Sequence, residues 1–325
     1  MTARVLVTGG GGFIGSHLAE HLVRQGYRVR VLDNFATGRR ENVSRLVGEV
    51  ELIEGDVQSH QRVEKAVSGC EIVLHQAALP SVQRSLHDPL TSNSTNVTGT
   101  LNVLLAARDE GVRRVVCASS SSVYGTASGI TPKREEDAAV PISPYATGKL
   151  AAELYGRSFH GVFGLDVVAL RYFNVFGPRQ DPTSQYSAVI PRFIAALLAG
   201  RRPVIFGDGE QSRDFTYVDN VVQANMLAID ALSVAGGVYN VACGERVTLN
   251  RLLREMCDLL GIDVDPVYTV PRPGDVRHSI ADLSRARRDL GYEPSVRLRD
   301  GLERTLQHAY EEEQAAGSGR WMVGA

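Results

Sequence analysis

Tyr145 and Lys149 stand four residues apart in the stretch SPYATGKLAAELY, residues 143–155. In a helix that spacing puts a phenol and an ammonium group one turn apart on the same face. The pair also arises on ordinary solvated helix faces, so the rest of the chain has to say whether it does chemistry. A free tyrosine, with a pKa of about 10, is mostly protonated at neutral pH, and a nearby cation favours its phenolate. A second set of residues lies at the start of the chain, where TGGGGFIG places Gly9, Gly12 and Gly15 at three-residue intervals. Glycines there would let the backbone approach a pyrophosphate, and a helix starting at the loop would offer free N–H groups and the positive end of its dipole.

The elements needed to position these groups are legible as hydrophobic patterning. Short β-branched runs at 4–8, 29–33, 50–54, 72–75, 115–119 and 167–171 read as strands. Between them lie helical stretches at 13–25, with Ile14, Leu18 and Leu22 on one face, and at 61–67, 95–109 and 145–161. Strand–helix alternation at this spacing predicts an α/β fold, a parallel sheet wound on both sides. The glycine triplet then falls between the first strand and the first helix, and Asp33 ends the second strand. That context makes it a dinucleotide-binding loop. Asp33 would accept from a ribose diol and repel a 2′-phosphate, which favours NAD over NADP; Arg39 and Arg40 nearby are a mild counter-signal. After about residue 174 the pattern loosens. Helices at 188–198, 218–232 and 249–260, a short strand and turn at 203–209 and a strand at 238–241, joined by Gly/Pro-rich connections, suggest a smaller mixed α/β lobe over roughly 175–315. It would be built onto a Rossmann-type domain of residues 1–174, with a polar tail at 316–325.

Composition narrows the classes. The chain has 325 residues, 43% hydrophobic and 22% charged, with a formal net charge of −2. These values describe an ordinary globular protein with no basic surface for nucleic acid and no polybasic membrane anchor. No apolar run reaches the roughly 18 residues that span a bilayer. The first residues run directly into a strand, so no cleaved signal is expected, and a cytoplasmic protein is. Cys70, Cys117, Cys243 and Cys257 are scattered without metal-ligand or disulfide spacing, and are expected as buried free thiols.

Three further segments stand beside the glycine loop and the Tyr/Lys pair: Ser119-Ser120-Ser121-Ser122-Val-Tyr124-Gly, RYFNVFGPRQDP at 171–182, and GDGEQSRDFTYVDN at 207–220. With RPGDVRHSIAD at 272–282, the set resembles the extended short-chain dehydrogenase/reductase family in its nucleotide-sugar branch. It is most similar there to UDP-hexose 4-epimerases, especially bacterial UDP-N-acetylglucosamine 4-epimerases. The resemblance covers nearly the whole chain. It implies that Gly9, Gly12, Phe13, Ile14, Gly15 and Gly38 hold the pyrophosphate end of NAD, Asp33 and Asn34 the adenosine ribose, and Asp56 and Val57 the adenine side. Gln76, Ala77, Ala78, Thr95 and Tyr172 would line the rest of the cofactor. Ser81, Ser121, Ser122, Asn174, Gln180, Ala188, Val189, Arg213, Arg272, Asp275 and Ser279 would hold the UDP-sugar.

The chemistry implied is oxidation of a sugar C4–OH with Tyr145 as base, Lys149 stabilising the phenolate and holding the nicotinamide ribose, and Ser120 bonding the C4 oxygen. The flat 4-keto sugar then turns and takes hydride back on its other face. Ser279 leaves room for an N-acetyl group where glucose-only relatives carry a tyrosine. Helices 95–109 and 145–161 correspond to the family's four-helix homodimer interface. Gly148, before Lys149, departs from a pattern that more often has serine. Rival readings remain: a UDP-glucose 4-epimerase without N-acetyl preference, a UDP-glucuronate epimerase or decarboxylase, and a non-catalytic NAD sensor. A 4,6-dehydratase would need an Asp-Glu pair where Ser121 and Ser122 stand.

Overall fold

Seven runs of mostly aliphatic residues pair into one parallel sheet in the computed structural model, which describes residues 3–126, 131–181, 188–271 and 276–315. In chain order they are β1 (Arg4–Thr8), β2 (Arg28–Asp33), β3 (Val50–Glu54), β4 (Ile72–His75), β5 (Arg114–Ser120), β6 (Val167–Tyr172) and Val238–Val241. Across the sheet they run Val238–Val241, β6, β5, β4, β1, β2, β3, and every pairing is parallel. β4 and β6 are buried at each position, as expected of strands covered by helices on both faces. The order reverses between β1 and β4, and it is at such a switch point that doubly wound sheets open a crevice for ligands.

Three strands are longer than the patterning predicts. β2 begins at Arg28, β5 runs from Arg114 to Ser120, and β6 reaches Tyr172. The extensions matter at the far end, where Ser120 pairs with Tyr172 in the ladder. Two strand arginines are also buried, and each caps a helix. Arg30 donates to the carbonyls of Ala66 and Ser68 at 2.7 Å, just past the helix His60–Val67. Arg114 donates to those of Ala228 and Ala231 at 2.6 and 2.8 Å, at the end of Val218–Asp230. Both place a cation where carbonyls lack helical partners and the dipole is negative.

The helix predicted at 95–109 is a π-helical turn, Ser94–Thr98, followed by an α-helix, Gly99–Asp109. The turn is held from both sides. Asn96 exchanges side-chain hydrogen bonds with the backbone of Leu79, and the Thr100 hydroxyl donates to the Asn96 carbonyl at 2.7 Å.

Residues 175–315 divide between two cores. Val221, Ala224, Ala228, Tyr239 and Val241 pack with β1, β2 and β6 residues against the sheet. Phe176, Phe193, Leu197, Leu252, Met256 and Leu302 form a separate core, built from the helices Val189–Leu198, Leu249–Leu260 and Leu298–Ala315. Asp214, fully buried, joins these parts by accepting from the backbone N–H groups of Cys243, Gly244 and Ala281 at 2.9–3.1 Å. The polar tail at 316–325 lies outside the described residues.

Candidate active site

A single cleft of about 1350 Å³ extends from the glycine loop past Ser120, Tyr145 and Lys149 to Arg213 and Ser279. Pockets that take one drug-sized ligand run to roughly 300–1,000 Å³, so this cleft is larger than a single-ligand site.

At one end the glycines permit contacts that a Cβ would block. Gly9 has φ +72°, and a Cβ there would stand 2.7 Å from the Ala77 nitrogen; at Gly15 it would lie 2.1 Å from the Gly9 carbonyl oxygen. The helix Phe13–Arg24 then starts at Gly12 with no side-chain cap, leaving its first N–H groups directed at the cleft as an anion site. Asp33 accepts from the backbone N–H of Gly11 (2.8 Å) and Phe35 (2.7 Å). Burial raises its pKa, and these N–H bonds oppose that rise. A Cβ at Gly38 would come within 3.1 Å of the same carboxylate. Asn34 donates to Asp56 at 2.7 Å. Gln58 joins Asp56 to Thr95, with bonds of 3.2 and 3.4 Å. Arg39 and Arg40 are both engaged with carboxylates, Asp181 at 3.0 Å and Glu54 at 2.7 Å, so neither reads as a dedicated 2′-phosphate ligand.

At the centre, Ser143 caps the helix Pro144–Phe163, its hydroxyl accepting from the Ala146 N–H. The Tyr145 N–H is held by the Ser85 hydroxyl at 3.1 Å. Lys149 is buried, donates to the Ala118 carbonyl at 2.8 Å, and lies 6.0 Å from the Tyr145 ring centroid. Burial pulls its ammonium pKa down to about 8. Burial also raises the Tyr145 phenol, and the group opposing that rise is Ser120, through a hydrogen bond. The Lys149 ammonium, for its part, is engaged by the β5 carbonyl of Ala118. Ser122 donates to the Ser120 oxygen from its hydroxyl (3.0 Å) and its N–H (3.2 Å). Ser122 therefore orients Ser120, while Ser121 also lines the cleft.

Gln76, Ala77 and Ala78 follow β4 and line the cleft with Val57 and Tyr172. The Tyr172 hydroxyl donates to Gln76 at 3.2 Å and accepts from Asn225 at 2.9 Å. Burial raises its pKa, so this phenol is a fixed neutral wall.

At the other end, Asn174 (φ +33°) donates to the Asp214 carbonyl at 3.0 Å. Gln180 donates to the Val175 carbonyl, and its buried Oε1 has no partner among the described residues. Ala188 is the N-cap of Val189–Leu198, which has no side-chain cap, and Ala188, Val189 and Ile190 line the cleft. Arg213 donates to the Ser212 carbonyl at 2.9 Å, and the Ser279 N–H bonds the same carbonyl at 3.1 Å. Ser81 lines the cleft while capping the helix Val82–His87. Arg272 and Asp275 lie outside the described residues.

The segment 177–181 crosses to the glycine-loop side through three contacts. His17 Nε2 bonds the Pro178 carbonyl at 3.0 Å, Arg179 pairs with Glu20, and Asp181 pairs with Arg39. Burial lowers the His17 pKa to about 4, so the neutral ring is the donor to Pro178. Sequence spacing had not singled out Gln58, Ser85, Asn225, His17 or Arg179. Each has a partner distant in the chain (for Gln58, Thr95 beside the local Asp56), which spacing does not reveal. Among the described residues no His, Cys, Asp and Glu cluster suits a metal, and no helix is long and apolar enough to cross a membrane.

Residues 5–242 match the model of the NAD dependent epimerase/dehydratase family. UDP-glucose 4-epimerase of Mycolicibacterium smegmatis is 39% identical over 94% of this chain and 97% of its own length. The structure of UDP-N-acetylglucosamine 4-epimerase from Methanobrevibacter ruminantium, in complex with UDP-N-acetylmuramic acid, superposes with a TM-score of 0.91 at 41% identity, covering 96% of this chain and 99% of that one. UDP-glucuronic acid 4-epimerase from Bacillus cereus, with UDP-glucuronic acid and NAD, gives 0.88 at 31% identity over 95% and 99%.

Proposed function

We propose that this chain, which belongs to the NAD dependent epimerase/dehydratase family, inverts C4 of UDP-hexoses, with UDP-GlcNAc/UDP-GalNAc preferred and UDP-Glc/UDP-Gal also turned over. The observation that carries this reading is the convergence of Ser120, Tyr145 and Lys149 midway along one cleft. A pyrophosphate cradle lies at one end, and Arg213 and Ser279 line the other. The cradle fits NAD, because a Cβ at Gly9 or Gly15 would close it and the helix beyond it is uncapped. When bound, NAD would supply the acceptor and donor for the C4 hydride.

The protein's own part is to move a proton and hold two ends. Tyr145 accepts the C4 hydroxyl proton, with Ser120 bridging phenol and sugar oxygen and Ser122 fixing Ser120 from behind. The Lys149 ammonium supplies positive potential beside the phenol and a donor toward the nicotinamide ribose. Asn174, Gln180, Ala188, Val189 and Arg213 anchor UDP, together with Arg272 and Asp275. Arginine suits the diphosphate by its bidentate geometry. The sugar itself is held loosely, which lets the 4-keto ring turn before the proton and hydride return. Ser279 is small where the C2 substituent lies, and its hydroxyl can bond an N-acetyl amide.

The test is incubation of purified protein with UDP-GlcNAc, UDP-Glc and UDP-GlcA, with products read by NMR. C4 epimers of the first two, without net NADH, are expected. Turnover of UDP-GlcA alone would replace this reading with a glucuronate epimerase. Ser279→Tyr should abolish the N-acetylated activity and spare the plain hexose.

The helices Val82–His87, Pro89–Asn93 and Pro144–Phe163 also expose a set of large apolar side chains. Leu86, Leu90, Leu154, Val162 and Phe163 are each at least half exposed. A homodimer formed through Gly99–Asp109 and Pro144–Phe163, a four-helix bundle with the partner's pair, would cover part of this set. The four cysteines are buried free thiols, which suits a reducing, cytoplasmic setting.

A further inference from the structure

Beneath the catalytic residues lies a buried ion pair that the chemistry above does not use. Glu153 is one helical turn beyond Lys149, and Arg171 immediately precedes Tyr172 on β6. Their side chains are 2% and 3% exposed. Arg171 donates to the carboxylate through Nε at 2.9 Å and Nη2 at 2.8 Å, a bidentate grip. The same carboxylate accepts from the hydroxyl of Ser119, the residue before Ser120. On its other side the Arg171 guanidinium stacks 4.6 Å from the centroid of the Tyr124 ring, whose hydroxyl donates to Asn240 at 2.7 Å.

The register explains what this arrangement can do. Ser119 pairs with Arg171 and Ser120 with Tyr172 across adjacent strands. Successive strand residues face opposite sides. Ser119 and Arg171 therefore turn to the helix Pro144–Phe163, while Ser120 and Tyr172 line the cleft. One carboxylate thus fastens that helix to both strands, at positions adjacent to three residues of the site.

We propose that Glu153 is a positioning residue for hydride transfer: by gripping Ser119 and Arg171 it sets Ser120 and Tyr172 against Tyr145 and Lys149. The inference rests on the epimerase reading for its kinetic test and on geometry for the rest. A second effect follows from charge. The groups facing Lys149 are Tyr145 and Glu153 on its own helix, Cys117 on β5 and His75 on β4. Burial pushes the Cys117 thiol up to about 12 and the His75 ring down to about 3, so both are neutral at pH 7. Glu153 is then the negative group in that set, and it favours the charged form of Lys149.

Three variants test this. Ser119→Ala removes one bond and leaves the ion pair intact. Glu153→Gln keeps shape but strands the Arg171 charge, which can cost folding. Glu153→Met/Arg171→Met restores an apolar, uncharged interior. We expect kcat on UDP-hexose to fall about tenfold or more in Ser119→Ala and in the double variant, a loss of at least ~1.4 kcal/mol of transition-state stabilisation. KM should change less than about threefold, since UDP is held elsewhere. Wild-type kcat in both folded variants would overturn the proposal, as would a loss residing in KM.

The second measurement needs no turnover. The chain has only three lysines, Lys65, Lys133 and Lys149, so ¹³C labelling at the ε-carbon gives three resolvable titrations. The Lys149 midpoint should move down in Glu153→Gln, or in Glu153→Met if the glutamine variant does not fold; the double variant is no substitute, because it removes the Arg171 cation along with the carboxylate. An unmoved midpoint would refute the electrostatic part. A wild type that turns over no UDP-hexose would sink the epimerase reading alone, and the lysine titration would still decide the role of Glu153.

Discussion

Tyr145→Phe removes one oxygen and keeps the ring, so it separates proton transfer from packing. Turnover should fall on the order of 10²-fold or more, while NAD binding, carried by the glycine loop and Asp33, should survive in a calorimetric titration. Wild-type rates would displace Tyr145 from the chemistry. The pH profile tests Lys149. Its folded-state midpoint is depressed from 10.5 to about 8, so the ammonium is complete below pH 8 and lost above it, and kcat should decline on the alkaline side of about 8. Stability carries the opposite sign. Between about 8 and 10.5 the unfolded chain binds more protons at this position than the folded one, so the Lys149 contribution grows as pH rises through that window. A rate constant flat to pH 10 would show that the ammonium is not required.

Two glycines on the helices that frame the cleft call for opposite outcomes. A Cβ at Gly148 would meet the Asn96 Cβ at 3.4 Å and a Val97 methyl at 3.5 Å, ordinary contacts. Gly148→Ala should therefore gain about 0.5–1 kcal/mol in urea unfolding, the usual helix-interior difference. A Cβ at Gly15 would lie 2.1 Å from the Gly9 carbonyl oxygen, so Gly15→Ala has to open the loop, and NAD affinity should fall at least tenfold. Elements of this kind were legible in the sequence wherever function depends on local spacing: a glycine triplet between strand and helix, an i,i+4 pair, a serine run at a strand end. The π-helical turn at Ser94–Thr98 was not legible, because Asn96 and Leu79 hold it across a gap of 17 residues. The Ser122–Ser120 bond was hidden for another reason. The resemblance singles out Ser120 in the run of four, but spacing gives no sign that Ser122 is the one that orients it. The buried arginines of β2 and β5 leave no sequence signal either, because the helix-end carbonyls they bond lie 36 to 117 residues away.

At the scale of the whole molecule, Leu154→Glu, which puts a charge on the exposed face of Pro144–Phe163, should shift the protein to monomer in light scattering if that face is the dimer contact. An unchanged dimer would move the interface elsewhere. The other molecular-scale feature is the segment 177–181, tied to the glycine-loop helix by His17 and Glu20 and to the loop after β2 by Arg39. Gln180 within it and Asn174 just before it line the cleft and are proposed to anchor UDP, so on that reading one stretch of backbone borders both ligands. The Arg39–Asp181 pair is about 40% exposed on each side, and such pairs contribute about 0.2–1 kcal/mol. Asp181→Asn should thus speed NAD release up to about fivefold, and added salt should act in the same direction in the wild type. The consequence is a matter of residence time. Where departure of the dinucleotide requires these three ties to open together, it is rarer than the exposed Arg39–Asp181 pair alone suggests, and a catalyst that returns its hydride each cycle gains nothing from exchange. The bound dinucleotide would then behave as a prosthetic group, a fixed part of the enzyme that stays in place as successive sugars come and go.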